Sequence, residues 1–233
     1  MKLFYAPDIA TSLSLPVEEA AHALRVLRLT EGDEIAVTDG EGRLFDCRIM
    51  TANKSGITLD ILREIANPHE RRRHIHVAIA PTKNKERMEW FVEKATELGI
   101  SEITLLHCQH SERPVYNPER LHKVVIAAMK QSGKTHRPRI NALMSFSAFM
   151  REATGGCRYI AHVREGEERQ ELHKLLAQQT EYRHTILIGP EGDFSQPEVD
   201  EALSRGYVPV SMGDAVLRTE TAALTATVLL NLL

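Results

Sequence analysis

Cysteine is scarce in this chain of 233 residues: Cys47, Cys108 and Cys157 are the only three. They lie far apart, odd in number and never in CxxC spacing. Neither a disulfide framework nor a cysteine-rich zinc site is suggested, and buried thiols are the simpler reading. Long apolar runs are lacking too, since none approaches the roughly 18 residues of a membrane-spanning helix. The opening residues, Met1-Lys2-Leu3-Phe4-Tyr5-Ala6-Pro7-Asp8, have neither the basic end nor the apolar core of a secretory signal, so a cytoplasmic location and no membrane partner are expected. The 11 histidines never fall into HExxH or another ligand spacing, and no metal is expected. Gly133-Lys134-Thr135 lacks the rest of a phosphate loop: Ala128 stands where the first glycine belongs, and a helix precedes it instead of a strand. No GxGxxG follows the first strand of the α/β region, which argues against a dinucleotide fold.

A net charge of −3 speaks against coating nucleic acid by bulk electrostatics, yet it leaves room for local patches. Three basic runs exist, at 71–74, 83–87 and 130–139. One such run is more often a solvated face; three in one chain raise the expectation of a phosphate-facing surface. With 42% hydrophobic and 26% charged residues, the chain has the balance of a soluble protein, and its length allows one or two domains.

Two patterns divide it. Pro16 to Leu27 has helical spacing (Val17, Ala20, Ala21, Leu24, Leu27), and Glu34 to Thr38, the turn Asp39-Gly40-Glu41-Gly42 and Leu44 to Met50 read as a hairpin. Ile57 to Ile61 alternates strictly, as a strand with one wet face does. A small β-rich domain over 1–68 is therefore expected, with 67–73 as linker and a second domain over 74–233. In the second, strands at 75–80, 102–107, 158–163, 185–188 and 208–212 alternate with helices at 83–98, from Asn117-Pro118-Glu119 onward, at 145–153, from the capping box Ser195-Gln196-Pro197-Glu198 to Gly206, and at 219–233. Such alternation predicts an α/β domain with a mostly parallel sheet covered by helices.

The chain is organised around two loops. Ile186-Leu187-Ile188 runs into Gly189-Pro190-Glu191-Gly192, and after one helix a second loop carries Leu217-Arg218-Thr219-Glu220 just ahead of an apolar helix. At the carboxyl ends of neighbouring parallel strands, these loops are expected to form a crevice of backbone N–H groups with one Arg and two Glu.

Gly189-Pro190-Glu191-Gly192-Asp193-Phe194-Ser195 together with Leu217-Arg218-Thr219-Glu220-Thr221-Ala222 resembles the SPOUT superfamily of knotted methyltransferases, and within it the 16S ribosomal RNA (uracil-N3) methyltransferase family, RsmE. Matches run along the chain: His22, Val26-Leu27-Arg28-Leu29, Gly32-Asp33, then Glu93 to Ile100 after Trp90, and Gln131-Ser132-Gly133. The resemblance implies an N-terminal PUA-like RNA-binding β-barrel and a C-terminal α/β domain with a deep trefoil knot. It implies S-adenosylmethionine as cofactor, a homodimer, and the small ribosomal subunit or its RNA as partner. Asp193 stands where many relatives have glycine, and Asp214-Ala215-Val216 replaces a stretch that often carries Arg or Asn.

On this reading uracil N3 attacks a sulfonium methyl after losing its proton. Arg218 is expected to stabilise the anion, and Glu220 or Glu191 to take the proton; alternatively Glu220 only orients Arg218. Cofactor contacts are expected from Ile188, Gly189, Pro190, Gly192, Met212, Gly213 and Leu217, and RNA contacts from Arg25, Arg28, Lys134 and Arg137. A knotted methyltransferase acting on another RNA such as tRNA, and a non-catalytic RNA-binding assembly protein, remain as alternatives.

Overall fold

A computed structural model describes residues 2–65, 73–112, 117–152, 155–163 and 168–232. The chain forms two compact units, Met1–Glu70 with Ile126–Arg137, and Arg71–Val125 with Pro138–Leu233. The return of 126–137 to the first unit has no counterpart in the sequence-based division. Of the expected linker 67–73, all but Arg73 lies outside the described residues.

The first unit is built on a four-stranded sheet in the order β1 (Leu3–Tyr5), β2 (Glu34–Thr38), β3 (Leu44–Asn53), β4 (Gly56–Ile65). Strand β1 pairs parallel to β2, and the other pairs are antiparallel. Helices α1 (Ile9–Ser12) and α2 (Val17–Arg25) precede β2 in the chain. Phe4, Ile9, Ala20, Ala23, Ile35, Val37, Phe45, Ile49, Ile57 and Leu59 form one core. The Asp39 carboxylate shapes the β2–β3 turn by accepting the Glu41 and Arg43 amides at 2.8 and 3.1 Å, a side-chain mimic of a backbone turn. Helix α2 stops at Arg25, and Val17, expected on its apolar stripe, is 86% exposed. Pro16 takes the N-cap position, so Val17 begins the first turn on the solvent side.

In the second unit, β5 (His74–Ile79), α3 (Lys85–Leu98), β6 (Glu102–His107), α4 (Pro118–Gln131), β7 (Arg139–Ser145), α5 (Phe146–Arg151), β8 (Cys157–Ala161), β9 (Gln170–Glu171), α6 (Leu172–Leu176), β10 (Arg183–Ile188), α7 (Gln196–Ser204), β11 (Val208–Ser211) and α8 (Thr219–Leu232) follow in chain order. Helix α4 passes at its C-terminal end into the first unit. The sheet order is β7-β6-β5-β10-β8-β11-β9, and all its pairings are parallel.

Alternation along the central strands explains why both faces are dry. On β5, Ile75, Val77 and Ile79 point to one core with α3, α6 and α8, while Ala78 points to the other with α5 and α7. On β10, Ile186 and Ile188 join the first core and Leu187 the second. Successive side chains on a strand face opposite ways, so a strand covered by helices on both faces reads as an unbroken apolar run. Asn84 caps α3 by accepting the Glu86 amide at 2.8 Å. Glu198 accepts the Ser195 amide at 2.8 Å, closing the capping box of α7. Helix α8 packs against α3, β5 and β10 through Ala223, Ala226, Thr227 and Leu230.

His76 faces the second core as a polar exception. Its Nε2 bonds Thr104 Oγ1 at 2.7 Å, and its ring meets Phe149 edge-on at 5.6 Å. Burial lowers its pKa to about 4, opposed by the Glu102 carboxylate and reinforced by His74, Arg139 and Arg183. A histidine whose folded pKa lies below its unfolded value of about 6.5 gives stability that is complete above that value and lost as pH falls through 4, because the unfolded chain takes the proton first. The contribution is on the order of 3 kcal/mol. In urea unfolding at pH 7 and pH 5, His76→Gln is expected to show a smaller loss of stability on acidification than wild type. Equal losses in the two proteins would contradict this account.

Candidate active site

The two loops leave β10 and β11, which are not neighbours: β8 runs between them. This corrects the expectation of adjacent strands, and the reason is topological, since a strand from earlier in the chain inserts where sequence order would pair later ones. The consequence is a third wall. All three strands are parallel, so the segments that follow them, beginning at Ala161, Ile188 and Ser211, emerge at the same edge of the sheet.

Between these segments lies a cavity of about 290 Å³. Its β10 wall is Ile188, Gly189, Pro190, Glu191 and Asp193; its β11 wall is Val210 to Gly213 and Ala215 to Thr219; Ala161, His162, Val163 and Arg169 close the third side, with Ala222 of α8 behind. Gly189 suits a close approach, because a Cβ there would stand 3.1 Å from two ring carbons of Phe194, tighter than nine in ten real contacts of this kind. Phe194 is fully buried beneath it. Gly213 has φ +120, a backbone state that side chains with a Cβ disfavour. Thr219 ties the first two walls together, its Oγ1 donating to the Gly189 carbonyl at 3.1 Å. Arg169 Nη1 donates to the His162 carbonyl at 2.6 Å and holds the third.

Asp193 explains its own departure from glycine. Its φ is +60, a left-handed state that Asp tolerates better than most residues. Its carboxylate accepts the Phe194 amide at 2.8 Å and the Val163 amide at 3.0 Å, pinning the β10 loop to the β8 loop.

Of the residues singled out from sequence, Ile188, Gly189, Pro190, Met212, Gly213, Leu217, Arg218 and Glu191 line this cavity, and Arg218 and Glu191 are exposed. Gly192 and Glu220 do not line it. Gly192 faces a second cavity of about 580 Å³, lined also by Lys83, Asn84, Arg87, His110, Glu112 and Glu191. Glu191 belongs to both cavities. Glu220, in the first turn of α8, is 7% exposed and forms an ion pair with Arg87 at 3.6 Å from Oε1 to Nε. Sequence reading found the strand at 158–163 but not that its following residues wall the site, and it missed Asp193's bonds and the pairing of Arg87 with Glu220. The run Lys83-Asn84-Lys85-Glu86-Arg87 was visible as charge, but not which of its residues reaches a carboxylate distant in sequence.

The candidate RNA contacts lie in the first unit. Arg25 ends α2, and Arg28 follows with φ +55; both are exposed. In the basic run 130–139, Lys130 is committed to Glu19 at 2.6 Å, and Arg137 stacks over the Tyr5 ring at 5.9 Å while remaining exposed. Lys134 is half-buried.

A family model of an RNA methyltransferase domain matches residues 69–231, and one of an RNA methyltransferase PUA domain matches 15–62. The chain belongs to the RNA methyltransferase family. Among its relatives of known structure, a probable rRNA-methyltransferase from Porphyromonas gingivalis is 42% identical, with TM-score 0.90 over 97% of this chain and 95% of that one. The ribosomal RNA small subunit methyltransferase E of Neisseria gonorrhoeae, solved bound to S-adenosyl methionine, is 26% identical, with TM-score 0.82 over 98% and 95%. The ribosomal RNA small subunit methyltransferase E of Mycobacterium tuberculosis is 28% identical over 238 residues, covering 96% of this chain and 88% of the relative. The architecture implied by the resemblance, a PUA-like domain followed by an α/β domain of the SPOUT class with a mostly parallel sheet, is the one this RNA methyltransferase has.

Because two accepted amide bonds and a left-handed backbone coincide at Asp193, Asp193→Ala is expected to destabilise the protein by about 2–4 kcal/mol in chemical denaturation. Asp193→Gly should recover the backbone part and lose only the bonds. An alanine variant within about 0.5 kcal/mol of wild type, an ordinary surface effect, would show that the pin is unimportant.

Proposed function

We propose that this chain methylates uracil N3 at a specific uridine of small-subunit ribosomal RNA, with S-adenosylmethionine as methyl donor. The observation that carries the reading is the three-walled cavity, where the small residues Gly189, Gly213 and Ala222 leave room among apolar side chains. Such a lining suits a flat aromatic base and its ribose. Ile188, Gly189, Pro190, Met212, Gly213 and Leu217 would hold the donor; Gly192 would act through the loop's shape. The relatives from Neisseria gonorrhoeae and Mycobacterium tuberculosis, and the donor bound in the former, support the same assignment.

The donor supplies an electrophilic sulfonium methyl. The chain's part is to make N3 a nucleophile, which means favouring loss of its proton. Arg218, exposed at the cavity rim, is placed to stabilise the negative charge that then develops on the uracil oxygens. Glu191 is exposed and lines both cavities, and we assign it the proton. Glu220, buried and paired with Arg87, is better suited to orienting a cation than to accepting a proton. In the first unit, Arg25, Arg28, Lys134 and Arg137 would contact phosphates, so RNA affinity should fall steeply with salt. We further propose that the active protein is a cytoplasmic homodimer whose second domain is knotted, as in the family it resembles.

Loss of N3-methyluridine from small-subunit RNA of a deletion strain, mapped by mass spectrometry, tests the target. An unchanged small subunit with a lost tRNA modification would redirect the reading, and no lost modification would leave a binding protein. For the chemistry, Glu191→Gln should lower methyl transfer about a hundredfold or more at pH 7, with a smaller deficit at raised pH, where N3 ionises unaided. Rates within about threefold of wild type at both pH values, well short of that loss, would remove Glu191 as base.

A further inference from the structure

The ion pair between Arg87 and Glu220 is built unlike a stabilising one. Glu220 is 7% exposed, its Oε1 lies 3.6 Å from Arg87 Nε, and its buried Oε2 has no hydrogen-bond partner among the described residues. Apart from the favourable field at the N-terminus of α8, this one cation at 3.6 Å is its compensation, and burying a carboxylate so is costly. Such a cost, placed in the first turn of the helix whose leading loop walls the first cavity, points to a functional arrangement.

The second cavity shows what the arrangement serves. Its other basic groups are engaged: Lys83 Nζ lies 3.1 Å from Glu112 Oε2, and His110 Nδ1 donates to the Gly192 and Asp193 carbonyls at 3.0 Å. Arg87 turns Nε toward Glu220, and among the described residues nothing else receives its remaining N–H groups. Its side chain is 38% exposed, and it lines the cavity together with Glu191. A planar fork of N–H donors, tethered at one edge by a carboxylate and open at the other, is suited to binding an anionic oxygen.

Resting on the methyltransferase reading, we propose that the second cavity receives the target nucleotide and that Arg87 donates to an anionic oxygen of it. Glu220 is the positioning residue that fixes the guanidinium. The oxygen belongs either to the ionised base or to a flanking phosphate, two sources of one chemistry. Arg218 in the first cavity thus has a counterpart in the second, with Glu191 common to both, and the Glu220 that sequence places beside Arg218 acts through Arg87.

The test uses the full-length protein, small-subunit ribosomal RNA as acceptor and radiolabelled S-adenosylmethionine. Arg87→Lys keeps a cation opposite Glu220 but removes the fork, so it guards against simple misfolding, as does a thermal melt. Arg87→Lys and Glu220→Gln are each expected to lower kcat/KM at least tenfold, with S-adenosylmethionine affinity by calorimetry within about twofold of wild type. The double variant should be no worse than the poorer single one, because the two residues act as a unit. If the oxygen is a phosphate, the salt slope of RNA binding should fall by about one in Arg87→Ala, which removes the charge, and hold in Arg87→Lys; if it belongs to the base, the slope should hold in both and the rate deficit shrink at raised pH. Arg87→Lys and Arg87→Ala with kcat/KM within about threefold of an active wild type, or multiplicative losses in the double variant, would overturn the inference alone. A wild-type protein that transfers no methyl to any RNA would overturn the enzymatic reading and this inference with it.

Discussion

One hydrogen bond joins the parts of the site: Thr219 Oγ1 to the Gly189 carbonyl, 3.1 Å and buried. It connects the loop after β10 to the start of α8, and everything around the cavity follows from that junction. Gly189 must lie close over Phe194, which leaves its carbonyl directed at α8; Thr219 meets it, and α8 is thereby held with Ala222 behind the cavity. A buried carbonyl without that donor would carry a desolvation cost of about 1–3 kcal/mol. Asp193 makes the complementary link on the other side, to Val163. Two short polar side chains thus fix three loops that have no regular structure of their own.

Most of the second unit was legible because its strands are buried on both faces and its helices carry explicit stop and start signals. Asn84, Ser195 with Glu198, and the apolar runs at 75–80 and 185–188 each state their role locally. Strand β7 and the two-residue β9 were not seen. Both are edge strands, β7 is only partly buried, and neither offers the apolar run that marked the central ones. The insertion of β8 between β10 and β11 was not legible at all, since pairing order is a property of the whole sheet. In the first unit, β1 is three residues long, and the return of 126–137 depends on contacts such as Lys130 with Glu19 that sequence distance hides.

The site divides in the same way. Gly189-Pro190-Glu191 and Leu217-Arg218 announced themselves by glycine at a strand end and by charge ahead of an apolar helix, and both groups line the cavity. Glu220 could be recognised as unusual but not placed. Glu220 lies two residues beyond Arg218 and inside α8, where each step turns the side chain by about 100°, and it points away from the cavity that Arg218 faces and toward Arg87 on α3. The charges of the region are therefore sorted by depth: Arg218 and Glu191 in contact with solvent, Glu220 buried and tethered. Low dielectric strengthens what the buried group does to its neighbour.

The central claim is that the junction of the β10 and β11 loops is the donor site. Calorimetric titration of S-adenosylmethionine into wild type and Thr219→Val tests it most directly, because the substitution keeps the shape and removes only the donor to Gly189. The account expects wild type to bind one equivalent per chain and Thr219→Val to bind at least tenfold more weakly with its fold intact. Equal affinity in the two proteins, or no binding to wild type, would contradict it.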